Sequence, residues 1–185
     1  MSQTGADRLD YVASRLEILD CINRIARGVD RLDRDIFRTG YHADAVLDFG
    51  THIGNPEQHM DFFFALHKNM QNAHAHTICN HTCEIDGDVA HAETYFIFAS
   101  ENVAGTPTTI AGGRYIDKFE RRGLRWAIAV RKCVTTWNFT PDSAVSQQIS
   151  AAFALVGVNS RSREDMSYQR PSTVTPERLT AIGGG

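Results

Sequence analysis

The chain of 185 residues lacks the features that place a protein in or on a membrane or on nucleic acid. No apolar run approaches the roughly 18 residues that a membrane-spanning helix needs. Positive charge is not in excess, since the formal net charge is −3, and this gives no electrostatic reason to expect binding to nucleic acid or to an anionic membrane. The first seven residues have neither a basic start nor an apolar stretch, so no secretory signal is expected. We therefore expect a cytoplasmic protein.

Cysteine is also scarce. The chain has four cysteines, and each lies in apolar sequence typical of secondary structure. This pattern favours reduced, mostly buried thiols over a disulfide framework, as in cytoplasmic proteins. No internal repeat is visible, and the hydrophobic content of 42% and charged content of 22% are ordinary for one globular domain. The four are Cys21, Cys79, Cys83 and Cys133.

The first third of the chain has helical spacing. Apolar residues recur at three- and four-residue steps from Leu9 to Val29, which predicts an amphipathic helix ending near residues 28–30. A short second helix follows, with Asp33 as its cap, and then a loop and a strand over residues 41–49. Pro56 suits the first turn of a third helix, which carries several phenylalanines and methionines.

The middle of the chain reads as four β-strands at about 75–85, 89–101, 109–120 and 125–137. Helices followed by a long meander predict an α+β fold, in which a curved, mainly antiparallel sheet wraps around the N-terminal helices. Residues 143–157 have apolar spacing compatible with one more helix, so the domain is expected to span 8–157. Residues 158–185 are polar and are expected to be extended or disordered, or laid against a neighbouring subunit.

Histidine and cysteine cluster in residues 74–83, which read HAHTICNHTC. The pKa of imidazole lies near neutral pH, so clustered histidines suggest proton transfer or metal binding. An Asp-Gly turn follows at 86–87, which indicates a hairpin and places the cluster on a strand. Strand alternation then puts His74, His76, Asn80 and Glu84 on one face, and Cys79, His81 and Cys83 on the other.

This alternation argues against a metal site. The two histidines and the two cysteines would lie on opposite faces, so they could not bind one zinc ion together. A site built on His74 and His76 would need a further ligand, such as His59 or His67. We therefore expect no metal. A bulge in the strand would change the face of His81, whose role stays open.

Three segments resemble a known family. They are Gly28-Val-Asp30 at the end of the first helix, His76-Thr-Ile-Cys-Asn80 with Glu84, and the run 112–122 followed by 126–128 and 137–141. On these residues the chain resembles the SnoaL-like branch of the nuclear transport factor 2-like superfamily. It is especially similar in plan to the group of hexachlorocyclohexane dehydrochlorinase, scytalone dehydratase and bile-acid 7α-dehydratase.

The resemblance implies a cone-shaped α+β barrel, an open pocket, catalysis without metal or organic cofactor, and frequently a trimer. It also implies that Asp30 and His76 form the catalytic pair. In that arrangement the carboxylate orients the imidazole and stabilises its charged form, while the free ring nitrogen acts as a general base. Without the resemblance, the simplest interpretation of Asp30 is a solvated carboxylate at the end of a helix, and that of His76 is a hydrogen-bonded histidine in the core. One departure is Ile25, where related dehydratases often carry a tyrosine that holds the leaving group.

Further residues are expected at the substrate. His74 shares the predicted face of His76, and Asn80 is either a hydrogen-bond donor or a structural amide. Arg131, in the middle of a strand, must pair with a carboxylate or reach a polar substrate group. The same argument applies to Arg114, with Asp117 or Glu93 as partner.

Aromatic residues exceed what a small core needs, so we expect an apolar pocket for a hydrophobic polycyclic, terpenoid or aromatic substrate. Those assigned to the pocket are Phe63, Tyr95 and Trp137.

Three functions follow as hypotheses. The first is a cofactor-independent lyase of the dehydratase type, in which His76 removes a proton and a small group is expelled. The second is an isomerase or cyclase that uses the same base on a polyketide- or steroid-like substrate. The third is a non-catalytic scaffold, as in the small subunits of aromatic-ring dioxygenases. A homo-oligomer, most simply a trimer, is expected, with part of residues 142–170 packed on a neighbour.

Overall fold

The computed structural model describes residues 5–103, 108–139, 154–158 and 164–180. Its helices begin where the sequence places caps. Asp33 accepts a hydrogen bond from the backbone N–H of Ile36 at 3.0 Å, which confirms the predicted cap. Asn55 and Gln58 form a reciprocal capping box in front of Pro56. The helices are α1 (Gly5–Asp30), α2 (Arg34–Arg38), α3 (Pro56–Met70) and α4 (Pro176–Thr180), with 3₁₀ turns at Ala154–Val156 and Met166–Tyr168.

Six strands form one mixed, mainly antiparallel sheet. The last four make the predicted meander, and glycines with positive φ, Gly87 and Gly123, form two of its turns. The first strand runs parallel to the last, which makes the sheet mixed. The predicted α+β fold is confirmed. The strands are β1 (Tyr41–Asp48), β2 (Ile53–Gly54), β3 (Gln71–Asp86), β4 (Val89–Asn102), β5 (Thr109–Arg122) and β6 (Arg125–Phe139), in the order β2-β1-β6-β5-β4-β3.

The main core lies between the first three helices and one face of the sheet, which we call the inner face. Helix α1 contributes Ile18, Cys21, Ile22 and Ile25, all nearly fully buried. The N-terminal part of the predicted apolar stripe of α1 does not enter this core, because Leu9, Val12 and Leu16 are exposed. This part of α1 still contacts the sheet through other residues, since Ser14 is buried and Arg15 donates to the carbonyl oxygen of Cys83 at 2.7 Å. Core residues from the other elements include Phe37, Leu47, Met60, Cys83, Phe119 and Ile128.

A β-bulge interrupts β3. Ile78 pairs with Phe96, and His81 pairs with Thr94, so three steps along β3 match two steps along β4. The predicted alternation is therefore wrong beyond Ile78. His81 and Cys83 lie on the same face as His76, while Asn80 and Glu84 are exposed.

The described part of the C-terminal tail packs on its own chain. Val156 and Met166 form a small buried cluster with Ile116 and Val134, which lie on the outer face of the sheet. Asp165 is buried and pairs with Arg114. The tail residues that the structure describes thus contact the sheet of their own chain, and the domain bounds of 8–157 with an extended or disordered tail stay a prediction. The predicted helix over 143–157 lies largely outside the described residues.

Further along the tail, Arg178 of α4 donates to Asp48 at the end of β1, at 2.7 Å. Both ends of the described tail are thus tied to the sheet. None of the helices in the described ranges combines the length and the apolar character needed to cross a membrane.

Candidate active site

A mostly apolar cavity opens between α1, α3 and the inner face of the sheet. The space between its lining atoms, together with the adjoining space open to solvent, amounts to about 460 Å³. Aromatic rings supply much of its wall, which suits an apolar ligand. The lining residues are Ile22, Ile25, Ala26, Val29, Phe37, Tyr41, Phe49, His59, Phe63, Phe64, His67, His76, Tyr115 and Arg131.

Asp30 and His76 meet at the wall of this cavity. The nearer carboxylate oxygen of Asp30 lies 2.7 Å from Nδ1 of His76. The backbone N–H of His76 also donates to both carboxylate oxygens, at 3.0 and 3.1 Å. Asp30 at the end of α1 is held at this distance from His76 because Gly28, two residues earlier, packs directly on α2. A Cβ at Gly28 would lie 2.7 Å from the backbone nitrogen of Phe37.

The contact keeps Asp30 ionised. Burial alone would raise the pKa of the Asp30 carboxyl. Hydrogen bonds from the side chain and backbone of His76 outweigh burial, so the pKa lies below its ordinary value. A carboxylate on Nδ1 places the ring N–H on that nitrogen and leaves Nε2 with a lone pair. None of the described residues hydrogen-bonds Nε2 of His76, so this nitrogen is available as a base.

Two more histidines stand behind this pair. His74 does not line the cavity. Its Nε2 lies 3.2 Å from the carbonyl oxygen of Val29, and its ring stacks on that of His67 at 4.3 Å. His67 does line the cavity, and its Nδ1 contacts Oε1 of Gln71 at 2.8 Å. The structure thus places His74 beside His67, with its ring turned toward the end of α1, and its contact with substrate stays a prediction.

Arg131 lies on the cavity wall with its charge neutralised. Its guanidinium makes two hydrogen bonds of 2.8 Å to Asp117, and a third of 3.2 Å to the hydroxyl of Tyr41. It also lies over the ring of Tyr115, 4.1 Å from the centroid. Burial alone would lower the pKa of Arg131, but Asp117 raises it well above its ordinary value. Of the two predicted alternatives, pairing with a carboxylate is the one present.

Arg114 also finds carboxylate partners. It contacts Glu93 at 3.2 Å, as predicted, and Asp165 at 2.9 Å, but Asp117 faces the other side of the sheet. The partner Asp165 lies 51 residues away in the tail, so no local pattern pointed to it.

Three of the predicted substrate contacts lie elsewhere. Asn80 is exposed beside the bulge. Tyr95 and Trp137 are about half exposed on the outer face, where the Trp137 ring covers Gly112. Of the predicted aromatic residues only Phe63 lines the cavity. Tyr95 alternates with the inward-facing Thr94 and Phe96, which fixes it on the opposite face.

Sequence reasoning did not assign four polar residues to the wall, namely Tyr41, His59, His67 and Tyr115, and it named the two histidines only as possible further metal ligands. One signal was available for the two histidines. His59, Phe63 and His67 follow each other at four-residue spacing on α3, so they form one stripe, and that stripe faces the cavity.

The bulge removes the basis of the argument against a metal, because Cys83 returns to the face of His76. Among the residues that the structure describes, no three or more His, Cys, Asp and Glu side chains converge as a metal site would require.

Comparison with known proteins identifies the fold. The sequence model of the SnoaL-like domain family matches residues 10–132 of this chain. A hexachlorocyclohexane dehydrochlorinase of type 3 from Novosphingobium barchaimii is 20% identical, with a TM-score of 0.67 over 72% of this chain and 93% of that one. A provisionally named scytalone dehydratase from Novosphingobium aromaticivorans is 11% identical, with a TM-score of 0.65 over 71% and 90%.

A provisionally named aromatic ring hydroxylase from Novosphingobium aromaticivorans is 22% identical, with a TM-score of 0.63 over 70% of this chain and 94% of that one. At these identities the likeness concerns the fold. A comparison with curated protein sequences found no match. The family match covers two thirds of the chain and includes both Asp30 and His76. The chain belongs to the SnoaL-like family and has the nuclear transport factor 2-like cone fold.

Proposed function

We propose that the protein is a cofactor-independent lyase that eliminates a small group from a hydrophobic molecule. The observation that carries this proposal is the 2.7 Å contact between Asp30 and His76 on the wall of an apolar cavity. A carboxylate–imidazole pair of this kind supplies a general base at neutral pH. Apolar surroundings suit a substrate whose acidic hydrogen is on carbon.

In the proposed reaction, Nε2 of His76 removes a proton from a substrate carbon. The electrons of the broken C–H bond form a C=C bond to the neighbouring carbon, and the leaving group departs from that carbon with its bonding pair. His76 becomes an imidazolium, which the Asp30 carboxylate stabilises. Passing the proton to the departing group completes the cycle and releases a small acid or water.

The alternative is an isomerase or cyclase with the same base. The observation that favours it is Ile25, which lines the cavity where related dehydratases often place a tyrosine for the leaving group. An isomerisation needs no such group, because the proton returns to the substrate. Against this, Tyr41 also lines the cavity, and its hydroxyl accepts a hydrogen bond from Arg131. That bond makes Tyr41 a better donor, and in the lyase reading it binds the leaving group.

The experiment begins with mass spectrometry of small molecules retained by the purified protein. Each retained compound, and its hydrated or halogenated precursors, is then incubated with the protein in D₂O. Elimination yields a product lighter by one small acid or water. Isomerisation leaves the mass unchanged apart from deuterium uptake. Compounds recovered unchanged and free of deuterium, with wild-type protein and the His76→Ala variant alike, would favour the scaffold hypothesis instead.

We also propose that the chain forms a homo-oligomer, most simply a trimer. Ile97 of β4 and Trp137 and Phe139 of β6 are 40–65% exposed on the outer face, on the two strands that flank β5. A cluster of large apolar side chains of this kind is typical of a contact surface.

A further inference from the structure

His59 occupies an aromatic enclosure at the end of the cavity away from the catalytic pair. Its ring lies 4.3 Å from that of Phe49 and 4.4 Å from that of Phe63, and stacks on Phe37 at 5.9 Å. Only 3% of the residue is exposed. His59 and His67 lie eight positions apart on α3, which is about 12 Å along the helix. His67 is the histidine of α3 that neighbours His76, with ring centroids 6.4 Å apart.

His59 has no hydrogen-bond partner among the described residues. Its Nδ1 is fully buried and unpaired. The other histidines of the cavity differ, because His76 bonds to Asp30 and His67 contacts Gln71. A buried polar group without a partner is costly, so this nitrogen calls for an explanation, and a ligand in the adjoining cavity supplies one.

The surroundings keep the imidazole uncharged. Burial lowers the pKa of His59 well below its ordinary value, and the nearby positive charge of Arg131 adds to this effect. A neutral imidazole carries one N–H donor and one lone pair. Arg131, the cation on this wall, is already paired with Asp117. This end of the cavity therefore offers a neutral donor and no unpaired positive charge, which suits an uncharged oxygen better than a carboxylate or phosphate.

We propose that His59 is a substrate-binding residue that donates a hydrogen bond to a carbonyl oxygen of an otherwise apolar, uncharged substrate. The inference rests on the proposed function for the identity of the site, and it names the substrate class. The carbonyl lies at the Phe49 end of the cavity, and the carbon that loses its proton lies at the His76 end. Tyr115 also lines the cavity, and its hydroxyl is the competing donor.

The test compares two small probes of the same shape, cyclohexanone and methylenecyclohexane. They differ in one group, since the ketone oxygen accepts a hydrogen bond and the methylene group does not. Dissociation constants are measured by NMR titration for the wild type, His59→Phe and Tyr115→Phe. The matched control is His91→Phe, because His91 also has an unpaired Nδ1 but lies outside this cavity.

The wild type should bind the ketone about three- to tenfold more tightly than the alkene, as expected for one hydrogen bond. His59→Phe should abolish this preference, and His91→Phe should keep it. Equal binding of both probes to the wild type, a preference that survives in His59→Phe, or one lost only in Tyr115→Phe would overturn the proposal.

A second measurement covers the case in which His59→Phe does not fold. In wild-type protein with ¹⁵N-labelled histidine, the ketone should shift the ring N–H signal of His59 and the alkene should not. Equal shifts would refute the assignment. This test is independent of turnover. His76→Ala should retain the ketone preference, so a failure of the lyase proposal and a failure of the His59 proposal give different results.

Discussion

The carboxylate of Asp30 binds His76 twice, once through the imidazole ring and once through the backbone N–H. The second contact fixes the strand against the end of α1, so the carboxylate holds both the ring and the backbone that carries it. The position of the base is therefore set by the same contact that sets its tautomer.

Replacing either member of this pair should lower turnover once a substrate is known. His76→Ala removes the base and should reduce kcat by roughly 10²-fold or more, and Asp30→Asn should have a comparable effect. The double variant should be little worse than the worse single one, because the two act as a unit. Steady-state kinetics of the three variants provides the measurement. A matched control is His74→Phe, which keeps the stacking on His67 and should lose less than about tenfold. Near-wild-type kcat in both single variants would contradict the assignment.

His67 should make the stability of the protein sensitive to mild acid. Burial lowers the pKa of His67 to about 4, against an ordinary value of 6.5. Between these values the unfolded chain binds a proton that the folded chain does not. The free energy of unfolding therefore falls as pH falls from about 6.5 to 4, by at most about 1.4 kcal/mol per pH unit for this one group.

Urea unfolding at pH 7 and pH 5 measures this effect. The wild type should lose more stability between the two pH values than His67→Gln, in which that titration is absent. His74, His76 and Asp30 surround His67, and they are unchanged in the variant. Equal losses in the two proteins would show that His67 does not contribute.

Asp165 should matter for stability more than its place in the tail suggests. Its side chain is 2% exposed and pairs with the guanidinium of Arg114, which is 8% exposed. Asp165→Asn leaves the buried guanidinium of Arg114 without its main partner and should lower the free energy of unfolding by about 3 kcal/mol. The loss is not larger because Glu93 remains as a charged neighbour of Arg114. The comparison is Asp88→Asn, which breaks the exposed pair with Arg121 and should cost less than about 1 kcal/mol. Chemical denaturation of both variants decides the point, and equal losses would mean that the tail contributes little.

The proposed oligomer predicts a trimer in solution by multi-angle light scattering. Phe139→Lys and Trp137→Lys place a charge in the exposed apolar cluster and should shift the mass toward that of the monomer. Leu124→Lys is the control, because Leu124 is 96% exposed at the tip of the hairpin between β5 and β6. A wild-type monomer at micromolar concentration would refute the proposal.

Local features of the fold were predictable from the sequence. Asp33 and Pro56 mark the starts of helices because their chemistry satisfies, or does not need, the free N–H groups there. The meander follows from strand composition and turn residues. The contact of Asp30 with His76 was expected from the family resemblance, and no local pattern could have supplied it, since the two residues lie 46 positions apart.

Other features depended on information that is not local. Period-two alternation cannot reveal where a strand carries an extra residue, so Asn80 was placed on the wrong face. The role of His59 depends on which side of α3 faces the sheet. The burial of Asp165 depends on the path of the tail across the outer face. Each of these is set by how elements dock, and docking leaves only weak traces in the sequence.

The bulge reverses the side-chain alternation of β3, so different residue parities face the core on its two sides. Even-numbered residues point inward from His74 to Ile78 and odd-numbered ones from His81 onward, because Cys79 and Asn80 together stand opposite the single residue Tyr95. Deleting either Cys79 or Asn80 would restore one unbroken alternation along β3, and His76 and Cys83 would still face inward. A one-residue deletion at the bulge would therefore not change which side chains on either side of it face the core. What the extra residue controls is the bend of the strand, and with it the angle at which the histidine segment meets the end of α1.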